Sequence, residues 1–270
     1  MKKVALITGA SAGMGKETAK LLAQNGYIVY GAARRVAQMQ DLKNQGINVL
    51  SMDVSDDESM RNGVEEIIKV EGRIDVLVNN AGFGSYGAVE DVSIDDAKYQ
   101  IEVNVFGLAR LTQLVLPYMR QQRSGKIVNV TSIGGKMATP MGGWYHASKF
   151  AVEGLSDSLR LEVKPFGVDV ILIEPGGVKT EWQGISMDNM LKVSGNTAYK
   201  DMADKALTVG RNGQKNYAEP SLIAELILKA ITVKNPKARY AAGYMSGIIL
   251  FMKKYLSDGM FDKIIMSQMK

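Results

Sequence analysis

Val4 to Ile7 form an unbroken apolar run that stops at a glycine cluster, and the hydrophobic period then changes. In "KETAKLLAQNG" the residues Ala19, Leu22 and Ala23 recur at helical spacing before a glycine stop. The pattern predicts strand, turn, helix. It repeats through "YIVYGAA", a polar segment to Asn44, "INVLSM", the helix-like "DDESMRNGVEEIIKVEG" and "DVLVNN". A long helical stretch around "YQIEVNVFGLARLTQLVLPYMRQQ" follows, then the run "KIVNVTS", a helix from about Tyr145 to Lys164, the run "VDVILIEPG", and a last amphipathic helix in "PSLIAELILKAI".

The strand candidates lack polar alternation, which marks strands covered on both faces, as in a parallel sheet. With helices as the crossovers, the pattern predicts an α/β, Rossmann-like, doubly wound parallel sheet of about seven strands with helices on both faces. No repeat, low-complexity tract or linker interrupts the 270 residues, so residues 1–270 are expected to form a single domain. Two segments stand apart. Residues 181–217 are polar and weakly periodic, as a mobile substrate-side lid would be. Residues 241–270 form an apolar C-terminal extension, uncharged from Ala241 to Met252, which could cover a pocket, contact another subunit or lie on a membrane surface.

Composition narrows the chemistry. Without cysteine and with one histidine, the chain has no disulfide framework, no thiolate nucleophile and no Cys- or His-cluster metal site, so no metal is expected. Its net charge of +5 is scattered rather than gathered into runs, which argues against nucleic acid. The N-terminal apolar run is too short for a signal peptide, and no segment supplies the roughly 20 apolar residues of a membrane span; a cytoplasmic protein is expected.

The turn "TGASAGMG" sets Gly9, Gly13 and Gly15, with Ser11 and Met14 among them, between the first strand and the first helix. Glycines there allow a tight turn and close approach of a pyrophosphate to the helix N-terminal N–H groups. An acidic residue about 20 positions further on would bind the ribose of NAD. Between Glu17 and Asp41 there is no carboxylate, and the second strand ends in Ala33-Arg34-Arg35. Guanidinium groups at that point suit a 2′-phosphate, so NADP(H) is favoured and NAD(H) is the alternative.

The only histidine lies in "WYHASK", next to Tyr145 and three residues before Lys149. Residues i and i+4 share a helix face, so Tyr145 and Lys149 address one pocket. Tyrosine, with an ordinary pKa of about 10, becomes a usable proton donor when a cation favours its phenolate. His146 is turned about 100 degrees from that face, which suits packing or a subunit contact rather than catalysis.

These residues resemble the short-chain dehydrogenase/reductase family over roughly residues 3 to 182. The likeness rests on the glycine turn, Asp53, "NNAG" at Asn79 to Gly82, Asn104, Ser132, Tyr145 with Lys149, and "PGGVKT" from Pro175 to Thr180. The resemblance is to NADP-preferring members acting on hydroxysteroid-, retinol- or ketone-type substrates. It implies a catalytic set of Asn104, Ser132, Tyr145 and Lys149. Ser132 would bind the substrate oxygen beside Tyr145, Lys149 would also bind the nicotinamide ribose, and Asn104 would hold a water that resupplies the proton. It further implies that Asp53 and Val54 contact the adenine, that Asn80, Ala81 and Gly82 line the adenosine ribose, and that Pro175, Gly176, Val178 and Thr180 hold the nicotinamide. For Asn79 a ribose contact and a purely structural place in the sheet both stay open.

The implied activity is hydride transfer between NADP(H) and a carbonyl or secondary alcohol, in a homodimer or homotetramer. An NAD-preferring alcohol dehydrogenase of the same fold and a non-catalytic NADP-binding sensor are the alternatives. Met137, Met141 and Trp144 after the fifth strand, and eight methionines from Met187 onward, favour a hydrophobic steroid-like, retinoid-like or fatty substrate.

Overall fold

The computed structural model describes residues 2–269. Strands β1 (Val4–Thr8), β2 (Ile28–Ala33), β3 (Asn48–Ser51), β4 (Val76–Asn79), β5 (Gly125–Val130), β6 (Val168–Pro175) and β7 (Arg239–Ala242) form one sheet. Their order is β3-β2-β1-β4-β5-β6-β7, and every neighbouring pair is parallel. The winding reverses between β1 and β4, which opens a crevice at the carboxyl ends of those strands.

Side-chain alternation along β1 feeds two layers. Ala5 and Ile7 pack with α1 (Gly13–Gln24), α2 (Gln40–Asn44) and α9 (Pro220–Thr232), through Leu22, Leu42 and Ile227. Val4 and Leu6 pack on the other face with α3 (Asp57–Glu71) and α5 (Leu108–Gln122), through Ile67 and Leu111. Both faces of the central strands are therefore dry, and truncating Leu6 to Ala would cost roughly 2–5 kcal/mol.

The stretch read as one long helix is divided. Helix α4 (Ile94–Ile101) passes into a wide π-helical turn, Glu102–Gly107, before α5 begins. At the end of that turn Gly107 lies so close to the Val54 carbonyl that a Cβ would stand 2.2 Å from its oxygen. Helix α6 (Gly143–Val163) coincides with the helix expected from Tyr145.

Residues 181–217 are largely helical: α7 (Glu181–Ser194) and α8 (Lys200–Gln214) pack on each other and on the loop after β4. The C-terminal extension begins inside the sheet, since Ala241 and Ala242 belong to β7, and continues as α10 (Ser246–Tyr255) and α11 (Asp258–Ser267). Among the described residues no helix is long and apolar enough to cross a membrane.

Candidate active site

A cleft of about 1080 Å³ runs along the carboxyl ends of the strands, from the glycine turn to α10 and α11. At one end the first helix starts bare. Ala12 precedes it with no side-chain cap, and no acidic residue stands in its first turn. Its leading N–H groups are thus available to an anion. Gly9 holds a φ of +68°, and a Cβ on Gly15 would lie 2.4 Å from the Gly9 carbonyl oxygen, so this turn accepts no side chain at either position. Thr8 fixes the neighbouring strand end: its hydroxyl accepts the N–H groups of Asn80 and Ala81, both at 3.0 Å. The Asn80 side chain donates to the Thr8 carbonyl at 3.0 Å.

Arg34 and Arg35 flank the same end. Arg34 donates to the Tyr99 hydroxyl at 2.8 Å and lies 3.9 Å from Asp53. Arg35 reaches Ser11 at 3.5 Å and Glu181 at 3.7 Å. Asp53 uses one oxygen for the N–H and hydroxyl of Ser55, at 2.9 and 2.7 Å, leaving the other toward Arg34. The bare helix end, the glycines of the turn and the two guanidiniums fit an anionic dinucleotide.

Gly9, Ser11, Gly13, Met14, Asp53, Val54, Asn80, Ala81, Gly82, Pro175, Gly176, Val178 and Thr180 all line the cleft, as do Ser132, Tyr145 and Lys149. Gly15 and Asn104 stand just behind it. Of the two readings open for Asn79, its placement fits the structural one: it is buried, and its amide donates to Thr112 at 3.1 Å and Asn129 at 2.9 Å, inside the layer rather than in the cleft.

In the middle of the cleft, Ser132 caps a short turn by accepting the Gly134 N–H at 3.0 Å, and it hydrogen bonds with the Tyr145 side chain. Burial pushes the Tyr145 phenol up, and the Ser132 bond pulls it partly back. Lys149, 8% exposed, donates to the Val130 carbonyl at 3.0 Å. Burial pulls its ammonium down to about 8, against the opposing charge of Glu153.

Asn104 is committed within the protein. Its amide nitrogen donates to the Phe83 carbonyl at 2.8 Å and to Ser148 at 3.0 Å, and its oxygen accepts the Phe83 N–H at 2.7 Å. That leaves one lone pair of its side-chain oxygen for the expected water.

His146 is 5% exposed and braces the loop after β5. Nδ1 lies 2.9 Å from the Gly134 carbonyl and Nε2 accepts the Thr139 N–H at 3.0 Å, which places the ring proton on Nδ1. Burial lowers its pKa, so it stays neutral.

The far end of the cleft contains residues that motif reading does not reach. Tyr86 stacks on Tyr145 at 5.5 Å between centroids, and Tyr217 and Tyr244 stand 5.9 Å apart. Ile249 and Met252 of α10 and Ile264 and Ile265 of α11 close an apolar wall. The apolar character of the tail hinted at this wall; the isolated tyrosines carried no signal. Of the three apolar residues noted after the fifth strand, Met137 lines the cleft, whereas Met141 and Trp144 do not.

A seven-stranded parallel sheet carrying a dinucleotide cradle and a Ser-Tyr-Lys cluster at one crevice defines a nucleotide-dependent oxidoreductase. The chain belongs to the short-chain dehydrogenase family, whose model matches residues 3–190. It is 40% identical over 263 residues to a 3-ketodihydrosphingosine reductase of Bacteroides thetaiotaomicron, covering 96% of this chain and 95% of that protein. It is 34% identical over 285 residues to an NADPH-dependent 3-dehydrocapnine reductase of Ornithobacterium rhinotracheale, covering 99% and 98%. Among solved structures it is similar to a short-chain dehydrogenase from Streptomyces avermitilis, with a TM-score of 0.82 and 32% identity over 98% of this chain and 93% of that one.

Proposed function

We propose that the protein is an NADP(H)-dependent oxidoreductase that interconverts a ketone and a secondary alcohol on a hydrophobic, long-chain substrate. The observation that carries this reading is one cleft in which Ser132, Tyr145 and Lys149 lie between a phosphate-accepting helix end and the apolar wall of α10 and α11. Two relatives named as reductases of a 3-keto sphingoid base and of 3-dehydrocapnine favour a keto lipid over a steroid or retinoid.

The turn at Gly9 and Gly13, with Arg34 and Arg35, would hold NADPH, which would supply the hydride. The hydroxyls of Ser132 and Tyr145 donate to the substrate oxygen, so the charge that develops there meets donors already in position. Tyr145 gives up its proton, and the Lys149 ammonium stabilises the phenolate left behind. Asn104 holds Phe83 and Ser148 and thereby the approach to Lys149. The absence of an acid at the end of β2 and the placement of Arg34 and Arg35 support NADP(H) over NAD(H). α7 and α8 are proposed to act as the lid of the substrate side. Exposed Phe106 and Phe150, beside α5 and on α6, suit contact between copies in a homodimer or homotetramer.

The test is NADPH oxidation followed by absorbance with 3-ketodihydrosphingosine, shorter ketones and a keto-steroid, run beside NADH. Turnover of the long-chain ketone with NADPH supports the reading. Equal use of NADH, or preference for the rigid steroid, overturns the cofactor or the substrate assignment respectively.

A further inference from the structure

We propose that Glu153 and Glu174, held between Lys136 and Arg239, are positioning residues that keep the Lys149 ammonium charged and join the segments carrying Ser132, Tyr145 and Pro175. The inference rests on Lys149 being an active-site group.

Both carboxyls are 4% exposed, and neither lines the cleft. Glu153 stands one helical turn beyond Lys149 and two beyond Tyr145, on the same face of α6. Glu174 is in β6, immediately before Pro175. Lys136 follows the turn that Ser132 caps, and Arg239 opens β7, the strand that leads into α10. Four elements of the site therefore send one charged side chain each to a single buried point.

The contacts are specific. Glu153 accepts the Thr131 hydroxyl at 2.7 Å, the Lys136 ammonium at 2.7 Å and Arg239 Nε at 3.0 Å. Glu174 Oε1 lies 3.3 Å from Arg239 Nε and 3.9 Å from Lys136 Nζ, yet has hydrogen-bond geometry to neither. The two carboxyl groups are themselves hydrogen bonded. Arg239 is further engaged by Asp157 at 2.6 Å, and Asp157 by Arg160 at 3.1 Å. Two buried carboxyls in contact, with the cations partly committed elsewhere, cannot both ionise freely. Burial first, and then the charge of Glu153, push Glu174 up to about 7, while Lys136 and Arg239 oppose the rise.

The pair thus acquires its second negative charge as pH rises through neutrality, just below the range in which Lys149 begins to lose its proton. Glu153 is the group that opposes the desolvation of Lys149. The other carboxylates lining the cleft, Asp53 and Glu181, lie beside Arg34 and Arg35 at its cofactor end. Without Glu153, burial would act on the ammonium unopposed.

The test reads Lys149 directly. The full chain is labelled with [13Cε]lysine, the Lys149 resonance is assigned with Lys149→Arg, and its pH midpoint is followed in wild type, Glu153→Gln and Glu174→Gln. The expected result is a fall of about one pH unit in Glu153→Gln and a smaller fall in Glu174→Gln, where the second charge never forms. The alkaline limb of any pH–rate profile should move with it. Folded variants whose Lys149 midpoint is unmoved would reduce the network to a structural cross-link and overturn the proposal. Should Glu153→Gln not fold, Glu174→Gln decides alone, since its amide can donate to Glu153 as the protonated acid does. The measurement needs neither NADPH nor substrate, so failure to turn over ketones counts against the proposed activity and leaves this result standing.

Discussion

Lys149 donates to the Val130 carbonyl at 3.0 Å while its ammonium stands 5.9 Å from the centre of the Tyr145 ring, one helical turn away. The cation is therefore tethered to the end of β5 and cannot swing into solvent to recover its hydration. Its proton is held to about 8 by that burial, against an ordinary value of 10.5.

The sign of the stability effect follows. The unfolded chain binds this proton more tightly than the folded one, so the charge destabilises the fold below pH 8, and the penalty fades as pH climbs toward 10.5. The gap corresponds to about 3 kcal/mol at most. Lys149→Met is expected to raise the Tm at pH 7, with a gain that shrinks by pH 10, and to abolish turnover. Melting curves at the two pH values check this; a variant less stable than wild type at pH 7 would contradict it.

Tyr145→Phe keeps the ring that stacks on Tyr86 and removes only the hydroxyl that Ser132 engages. Turnover is expected to fall by about 10²–10⁴-fold, the usual contribution of a positioned general acid. NADPH affinity, read by fluorescence, should stay near wild type. Near-normal turnover would remove Tyr145 from the chemistry.

How much of this was legible beforehand depends on how local the cause is. The apolar runs of β1, β2, β4, β5 and β6 announce a parallel sheet because both faces of these strands are buried, and the glycines of the first turn announce a cradle because no side chain fits at Gly9 or Gly15. The π-helical turn at Asn104 was not legible. It ends at Gly107, packed against the Val54 carbonyl more than fifty positions away, a contact that no local pattern announces. Strand β7 was hidden for a similar reason, being a short, partly exposed edge strand specified by its pairing with β6. Tyr86, Tyr217 and Tyr244 converge only through the tertiary fold. His146, conspicuous in sequence, proves to be a brace.

That brace has a measurable strength. Removing the ring in His146→Ala leaves the Thr139 N–H and the Gly134 carbonyl without their partner, a loss of about 1–3 kcal/mol at pH 7. Because burial depresses the His146 pKa, its neutral ring stabilises the fold above the ordinary value of 6.5 and does so less as pH falls below it. Urea unfolding at pH 7 and pH 5.5 should show the cost of His146→Ala shrinking at the lower pH. A loss that is equal at both would mean that the ring's protonation is not linked to folding.

Arg34 and Arg35 are both more than half exposed, and their ion pairs, at 3.9 and 3.7 Å, are long. Their replacement is accordingly expected to leave stability nearly unchanged. Arg34→Ala/Arg35→Ala should raise the KM for NADPH by about 10- to 100-fold, the worth of one or two charge-assisted hydrogen bonds, with little change for NADH. Parallel loss with both cofactors would remove the 2′-phosphate reading.

The C-terminal helices divide their apolar residues between two faces. Ile249 and Met252 line the cleft, whereas Ile248, Phe251 and Tyr255 are exposed on the outer side of α10. If the inner face receives the chain of a lipid substrate, shortening it must weaken long substrates and spare short ones, because only the former reach it. Ile249→Ala removes three carbons from a half-buried side chain, about 1–2 kcal/mol of apolar contact, and should raise the KM of a long-chain ketone by roughly 5- to 30-fold. The KM of a short, water-miscible ketone serves as the internal control and should hold. A rise shared by both would mean that α10 acts by supporting the Gly176–Gly177 loop, to which Ala242 and Tyr244 are hydrogen bonded at 2.8 and 3.0 Å, and not by touching substrate.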